Sequence, residues 1–156
     1  MAMSGVASTF TGNVLLNAAT ARFLADTPAG TTATVPGALT GTGYLQKDGQ
    51  GTLRLLNPNN SLNSGNQLTL GTVSANGLAA LGTGTASWTI GDAGVISADN
   101  ATAAAVKALV AGGSTGTLAL AGTGGNPDNT PDMSGAGNVN LFLGALGDVA
   151  VGTDPM

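Results

Sequence analysis

The sequence of 156 residues contains no histidine, cysteine or glutamate, and only 8% of its residues are charged. Without histidine and cysteine the chain cannot form the common zinc, haem and iron–sulfur sites, a Ser-His-Asp triad or a thiol nucleophile. No disulfide can form, so cysteine content says nothing about the redox compartment. These absences predict a protein that has no enzymatic activity and needs no cofactor.

Positive charge is scarce as well, since the only cations are Arg22, Arg54, Lys47 and Lys107 and the net charge is −4. Nucleic-acid binding requires clustered lysines or arginines, and so does a basic amphipathic membrane helix. No uncharged apolar run approaches the ~18 residues of a membrane span. The first residues also lack the positively charged start and apolar stretch of a signal peptide. We therefore expect no nucleic-acid partner, no membrane insertion and no signal peptide.

Small residues and turns dominate what is present, with 26 glycines and only 3% aromatic residues. Apolar and polar residues alternate in short runs such as Thr52–Leu55 and Ser87–Ile90, which is typical of strands. A core this poor in aromatic residues favours a narrow, stacked coil over a sandwich. The sequence thus predicts one all-β domain over 1–156, a parallel β-helix or β-solenoid with roughly 22 residues per turn. One short α-helix is predicted near 100–111, where an Asp/Asn cap precedes an alanine-rich stretch.

A degenerate internal repeat supports the solenoid. Gly51–Leu55 recurs in form as Gly116–Leu120, and an Asn-Pro turn follows each copy, at Asn57 and at Asn126. A strand that opens with Gly-Asn comes next in both copies, and a similar opening occurs near the N-terminus at Gly12. Such an ordered series, met twice, indicates a repeat rather than chance.

The residues Leu45–Leu55 read Leu-Gln-Lys-Asp-Gly-Gln-Gly-Thr-Leu-Arg-Leu. This stretch resembles the Leu-x-Lys-x-Gly-x-Gly-Thr-Leu-x-Leu core of the autotransporter passenger-associated β-strand repeat. The best match covers 39–86, with weaker echoes in 10–24 and a second copy over 115–151. The resemblance implies a right-handed parallel β-helix on a bacterial cell surface, with a structural or adhesive role. The sequence shows no signal peptide and no translocator barrel, so the resemblance points to a passenger fragment or a stand-alone relative.

Candidate sites for chemistry are few, because aspartates supply all eight carboxylates. The loop around Asp128 and Asp132 has closely spaced oxygen ligands of the kind that Ca²⁺ prefers. It lacks the Gly-Gly-x-Gly-x-Asp repeat of calcium-binding β-rolls, and aspartate is common in turns. We interpret these residues as turn residues, with calcium binding as the less favoured hypothesis.

The leading functional hypothesis is a non-enzymatic structural or adhesive protein of a bacterial surface or extracellular fibre, self-associating end to end into filaments. A solenoid has two open ends, which favour strand addition between chains. The end segments able to do this are two apolar runs: Val14, Leu15 and Leu16, and Leu141, Phe142 and Leu143.

Two alternatives from other functional classes stay open. A surface receptor or a glycan also stays open as a further partner. One is a virion fibre or decoration protein. The other is an ice-binding protein, suggested by the Thr-x-Thr elements at Thr32, Thr83 and Thr115. Their spacing of 51 and 32 residues does not follow a common turn length, which weighs against the ice-binding hypothesis.

Overall fold

The computed structural model describes residues 2–4, 8–82, 87–99, 108–110, 114, 116–121 and 140–143. These residues form parallel strands wound into a β-solenoid of about four turns, which confirms the predicted fold class. Paired residues on neighbouring turns lie between 20 residues apart, as for Thr32 and Thr52, and 25 apart, as for Ser8 and Ala33. The predicted turn of roughly 22 residues falls within this range.

Each complete turn places one strand on each of three faces. The strands, in chain order, are β1 (Ala2–Ser4), β2 (Ser8–Thr9), β3 (Val14–Leu16), β4 (Arg22–Asp26), β5 (Thr32–Val35), β6 (Leu39–Gly41), β7 (Tyr44–Asp48), β8 (Thr52–Leu55), β9 (Ser61–Leu62), β10 (Asn66–Ala75), β11 (Trp88–Asp99), β12 (Thr117–Ala121) and β13 (Asn140–Leu143).

The first face contains β1, β4, β7 and the first halves of β10 and β11. The second face contains β2, β5, β8, the second halves of β10 and β11, and then β12 and β13. The third face is a separate sheet of β3, β6 and β9. Because β10 and β11 run from one face to the next without a break, the first two faces form a single hydrogen-bonded sheet.

The alternation of apolar and polar residues builds the core, because every second side chain of a strand points inward. On the second face, Ala33, Leu53, Val73 and Ile96 occupy one inward column in register, and each is buried to 2% exposure or less. On the first face, Phe23, Leu45, the buried Asn66 and Trp88 occupy one inward column in register. The single tryptophan is a core residue, as its alternation with Ser87 and Thr89 predicts.

Asparagine side chains link successive turns where the backbone bends. Asn60 is 4% exposed, and its Oδ1 accepts a hydrogen bond from the Leu39 amide at 2.9 Å while its Nδ2 donates to the Ala80 carbonyl at 2.8 Å. One buried amide thus satisfies backbone groups on the turns before and after it. The Oδ1 of Asn66 accepts from the Leu45 amide at 2.9 Å in the same manner. These bonds supply partners to backbone groups that the corners leave outside the strand ladders.

A 3-10 helix, Leu78–Leu81, replaces the third-face strand after β9. Ala80 and Leu81 of this helix are buried, and the Leu81 carbonyl accepts a hydrogen bond from Trp88 Nε1 at 3.0 Å. Within the described ranges, the third-face sheet therefore contains three strands while the second face continues to β13.

The helix predicted near 100–111 lies outside the described residues except for 108–110. At the end of that stretch, Val110 forms a parallel bridge to Trp88, so the chain is again aligned with the first face 22 residues after Trp88.

The structure explains part of the internal repeat. Gly51–Leu55 and Gly116–Leu120 supply β8 and β12, which lie on the same face with β10 and β11 between them. The Gly-Asn openings are not equivalent in space: Asn13 precedes β3 on the third face, and Asn66 begins β10 on the first. The Gly-Asn opening of the second repeat copy leads into β13, which lies on the second face.

Candidate functional site

The structure places the first predicted association segment on β3. Val14 and Leu16 point into the core, each 7% exposed, whereas Leu15 points outward with 63% of its side chain exposed. Leu15 is the exposed large apolar side chain among the residues described. Only one of the three predicted residues is therefore accessible to a partner through its side chain.

The backbone of β3 also presents an edge. In the described part of the chain, β3 pairs with β6 alone. The Val14 amide donates to the Ala38 carbonyl, and the Leu16 carbonyl accepts from Thr42, each at 2.8 Å, so Val14 and Leu16 direct their backbone groups toward β6. Since direction alternates along a strand, the N–H and C=O of Leu15 point to the opposite side. Leu15 thus combines an outward apolar side chain with backbone groups directed away from β6.

The second predicted association segment forms β13, in which Leu141 pairs with Leu118, Phe142 with Ala119 and Leu143 with Leu120. Among the described residues, β13 pairs only with β12. The structure does not bring the two segments together, because β3 belongs to the third face and β13 to the second. In an end-to-end stack, β3 would therefore extend the third face and β13 the second face.

The residues considered for calcium, Asp128 and Asp132, lie outside the described residues. In the ranges that the structure does describe, no group of three or more acidic side chains is placed to hold a metal ion. The same ranges contain no helix that is long and apolar enough to cross a membrane.

A column of threonines follows the outside of the second face. Thr32, Thr52 and Thr72 are register partners on successive turns, so that neighbouring strands place them side by side. Val95 and Thr117 continue the column on β11 and β12. Of the three Thr-x-Thr elements in the sequence, the one at Thr32 begins β5, whereas Thr83 and Thr115 lie outside the described residues. The structure instead aligns hydroxyls about 4.8 Å apart along the axis.

A buried lysine is the feature that sequence reasoning missed. Lys47 occupies the inward column between Ala25 and Leu68, and its side chain is fully buried. Its ammonium donates hydrogen bonds to the carbonyls of Asp48 and Gly49, both at 2.6 Å, and to that of Leu70 at 3.3 Å. The signal was in the alternation, since Lys47 shares its parity with Leu45, which points inward.

The electrostatics around Lys47 are dominated by the loss of solvent. Burial lowers the pKa of Lys47 from 10.5 to about 8, although the negative charges of Asp26 and Asp48 offset part of this effect. Those two aspartates end β4 and β7 and face each other in register. The buried Oδ1 of Asp48 and the buried hydroxyl of Thr27 make no hydrogen bond. An amine and an acidic pair therefore share one corner of the solenoid.

Comparison with known proteins adds no relative. No protein-family model matches the chain, and neither a curated protein nor a solved structure matches it significantly. Functional inference therefore rests on the solenoid itself and on the repeat-like stretch Leu45–Leu55.

The lowered pKa of Lys47 predicts that the protein becomes more stable between pH 8 and pH 10.5. In this window the unfolded chain binds the proton that the folded chain has released, so the free energy of unfolding rises with pH. The full shift from 10.5 to about 8 corresponds to about 3 kcal/mol. Urea denaturation of the wild type and of Lys47→Met across this range isolates the effect, because other titrating groups are common to both chains. A difference between the two chains that does not change with pH would contradict the assignment.

Proposed function

We propose that this protein is a non-enzymatic structural β-solenoid that associates with copies of itself through its strand edges to form filaments. The observation that carries the proposal is the geometry of β3, whose Leu15 offers both an exposed side chain and backbone groups directed away from β6. An additional strand binds such an edge through main-chain hydrogen bonds, and side chains at alternate positions supply specificity. The parallel ladders of the solenoid define the register that a second copy would continue.

The location that we propose is a bacterial cell surface or an extracellular fibre, with a structural or adhesive role. This part rests on the similarity of Leu45–Leu55 to the autotransporter passenger-associated repeat. In the structure these residues span most of β7, the corner around Gly49 and all of β8. A low content of charge suits end-to-end contacts made of small side chains and backbone groups.

Leu15→Pro is expected to shorten or abolish filaments while the fold is retained. Proline removes the N–H that points away from β6, and it leaves the bonds of Val14 and Leu16 with β6 in place. Leu15→Ala is the matched control, since it removes the exposed side chain but keeps the N–H. Negative-stain electron microscopy measures filament length, and circular dichroism checks that strands persist in both variants.

Leu141→Pro extends the test to β13, where we expect the same shortening of filaments. Raising salt to ~1 M should change filament length little, because the contacts contain few charges. Filaments that dissolve in salt, or that are indifferent to Leu15→Pro, would overturn the proposal and favour side-by-side packing. Discrete particles of the wild type at all concentrations would overturn it directly.

The threonine column favours ice binding as a second candidate function. Thr32, Thr52 and Thr72 stand on one outward face in register, and Val95 preserves the threonine shape without its hydroxyl. Regular hydroxyls and methyls on a face of little charge could order water. Thermal hysteresis of the wild type, lost on Thr52→Tyr but kept on Gln67→Tyr at an exposed first-face position, would support this function. Absence of thermal hysteresis in the wild type would exclude it.

A further inference from the structure

Four polar side chains form a continuous patch on the outside of the first face. Arg22 on β4 and Tyr44, Gln46 and Asp48 on β7 point outward, because each alternates with a buried residue. Arg22 and Tyr44 are register partners, and Gln46 and Asp48 follow Tyr44 at intervals of two residues. Tyr44 is the only tyrosine of the chain. We call these four residues the first-face patch.

Hydrogen bonds hold the patch in one arrangement. Arg22 Nη1 donates to Gln46 Oε1 at 2.9 Å, and Gln46 Nε2 donates to Asp48 Oδ2 at 2.9 Å. The first of these bonds joins side chains on successive turns, 24 residues apart in the chain. Because Gln46 is held at both ends, the plane of its amide is fixed before a ligand arrives. A ligand that binds such a pre-arranged set loses little affinity to the ordering of side chains.

The backbone beneath the patch is closed to a partner. Strand β7 lies between β4 and β10, and β4 lies between β1 and β7, so both strands are paired on each side. Strand addition, the mode proposed for β3, therefore cannot occur here. A partner must be recognised by side chains alone, above a sheet whose strands lie about 4.8 Å apart.

The chemistry of the patch selects a neutral partner that is rich in hydroxyl groups. Asp26 lies beside Asp48 in register, so two carboxylates accompany the guanidinium of Arg22 and disfavour phosphate, sulfate and uronate groups. Arginine, glutamine and aspartate present planar groups with paired donors or acceptors, which match neighbouring hydroxyls of a sugar. The ring of Tyr44 adds an apolar surface with a polar tip, against which the C–H face of a sugar packs.

We propose that the first-face patch binds a neutral glycan, with Tyr44 packed against one sugar ring and Arg22, Gln46 and Asp48 hydrogen-bonded to its hydroxyls. This inference rests on the adhesive role proposed above and names the chemical class of the partner. The strand spacing of about 4.8 Å is close to the length of one sugar ring. A glycan that runs along the solenoid axis therefore meets one turn per sugar unit.

The test measures binding of the full chain to immobilised neutral glucans, mannans and galactans and to acidic polygalacturonate and heparin. Calorimetric titration with an oligosaccharide of the best neutral binder then gives dissociation constants. Arg22→Gln and Tyr44→Ala should each weaken binding by at least about tenfold, the loss expected when a hydrogen bond to a charged group or an aromatic anchor is removed. Arg54→Gln is the matched control, because it removes an exposed cation from the second face, and it should bind as the wild type does.

A wild type that binds no neutral glycan, or that prefers the acidic ones, would overturn the proposal. An equal loss of binding on Arg54→Gln would overturn it as well. A second measurement on the wild type covers the case in which a variant does not fold. In ¹H–¹⁵N spectra, the oligosaccharide should shift the side-chain amide signals of Gln46, and unchanged Gln46 signals in the bound state would place the glycan on another surface.

Electron microscopy of the same variants separates this inference from the assembly proposal. The patch lies on β4 and β7, away from the open edge of β3, so Arg22→Gln and Tyr44→Ala should form filaments as the wild type does. Filaments without glycan binding would refute the glycan site alone. Glycan binding by a protein that never forms filaments would refute the assembly proposal alone.

Discussion

Leu53→Asp should abolish the folded state. Leu53 has no exposed surface and lies in the middle of the inward column, between Ala33 and Val73. Truncating a buried leucine alone costs about 2–5 kcal/mol, and a buried carboxylate adds several more. The sum, more than about 5 kcal/mol, reaches the total stability of an ordinary domain. Circular dichroism should show loss of the strand signal at 25 °C.

Thr32→Asp is the control for this variant, because Thr32 lies on the same face but is exposed. It introduces the same carboxylate without burying it, so the strand signal and the melting temperature should change little. If Leu53→Asp melted within a few degrees of Thr32→Asp, the inward column on the second face would be incorrectly assigned.

Gly71→Ala should cost more than about 4 kcal/mol, a loss reserved for severe steric or backbone conflicts. The methyl group would lie 2.3 Å from the Gly49 carbonyl oxygen and 2.6 Å from that of Gly51, and the backbone of neighbouring turns holds both oxygens in place. The φ angle of +80° adds the strain of a left-handed conformation.

Gly30→Ala separates the steric cost of the added methyl group from the cost of a left-handed backbone conformation. Gly30 has a similar φ angle of +73°, but a Cβ there would meet nothing within 4 Å. This variant should lose only the conformational part, about 1–2 kcal/mol. Urea denaturation of both variants gives the comparison. Equal losses would mean that the close approach of carbonyls at Gly71 contributes nothing.

Local alternation predicted the strands and their inward positions, as along Thr52–Leu55 and Gln67–Leu70, because these follow directly from the period of two. The choice of a solenoid over a sandwich rested on the low aromatic content and the internal repeat. Which strands stack could not be predicted so well. The Gly-Asn openings look alike because strands begin in a similar way after a bend, yet Asn13 and Asn66 lie on different faces. Insertions of a few residues at the corners change the turn length, and a one-dimensional repeat search cannot separate them from the strands.

The candidate site was predictable only in part. The apolar run at Val14–Leu16 indicated an end strand, but its exposed and buried residues become distinct only when β6 is placed beside it. Lys47 was grouped with the scattered cations because charge alone predicts a solvated side chain. The alternation places Lys47 inward with Leu45, but the Leu70 carbonyl that accepts its third hydrogen bond lies 23 residues further along, beyond the reach of a local pattern.

The continuous passage of β10 and β11 around a corner has a consequence for how the molecule opens. The first and second faces share one sheet, so hydrogen bonds on either face are released together, as one cooperative unit. The third face is held by strands of only three, three and two residues. Amide protons of β3, β6 and β9 should therefore exchange with solvent through local opening of the third face alone. Those of β8 and β10 should exchange only when the whole solenoid unfolds.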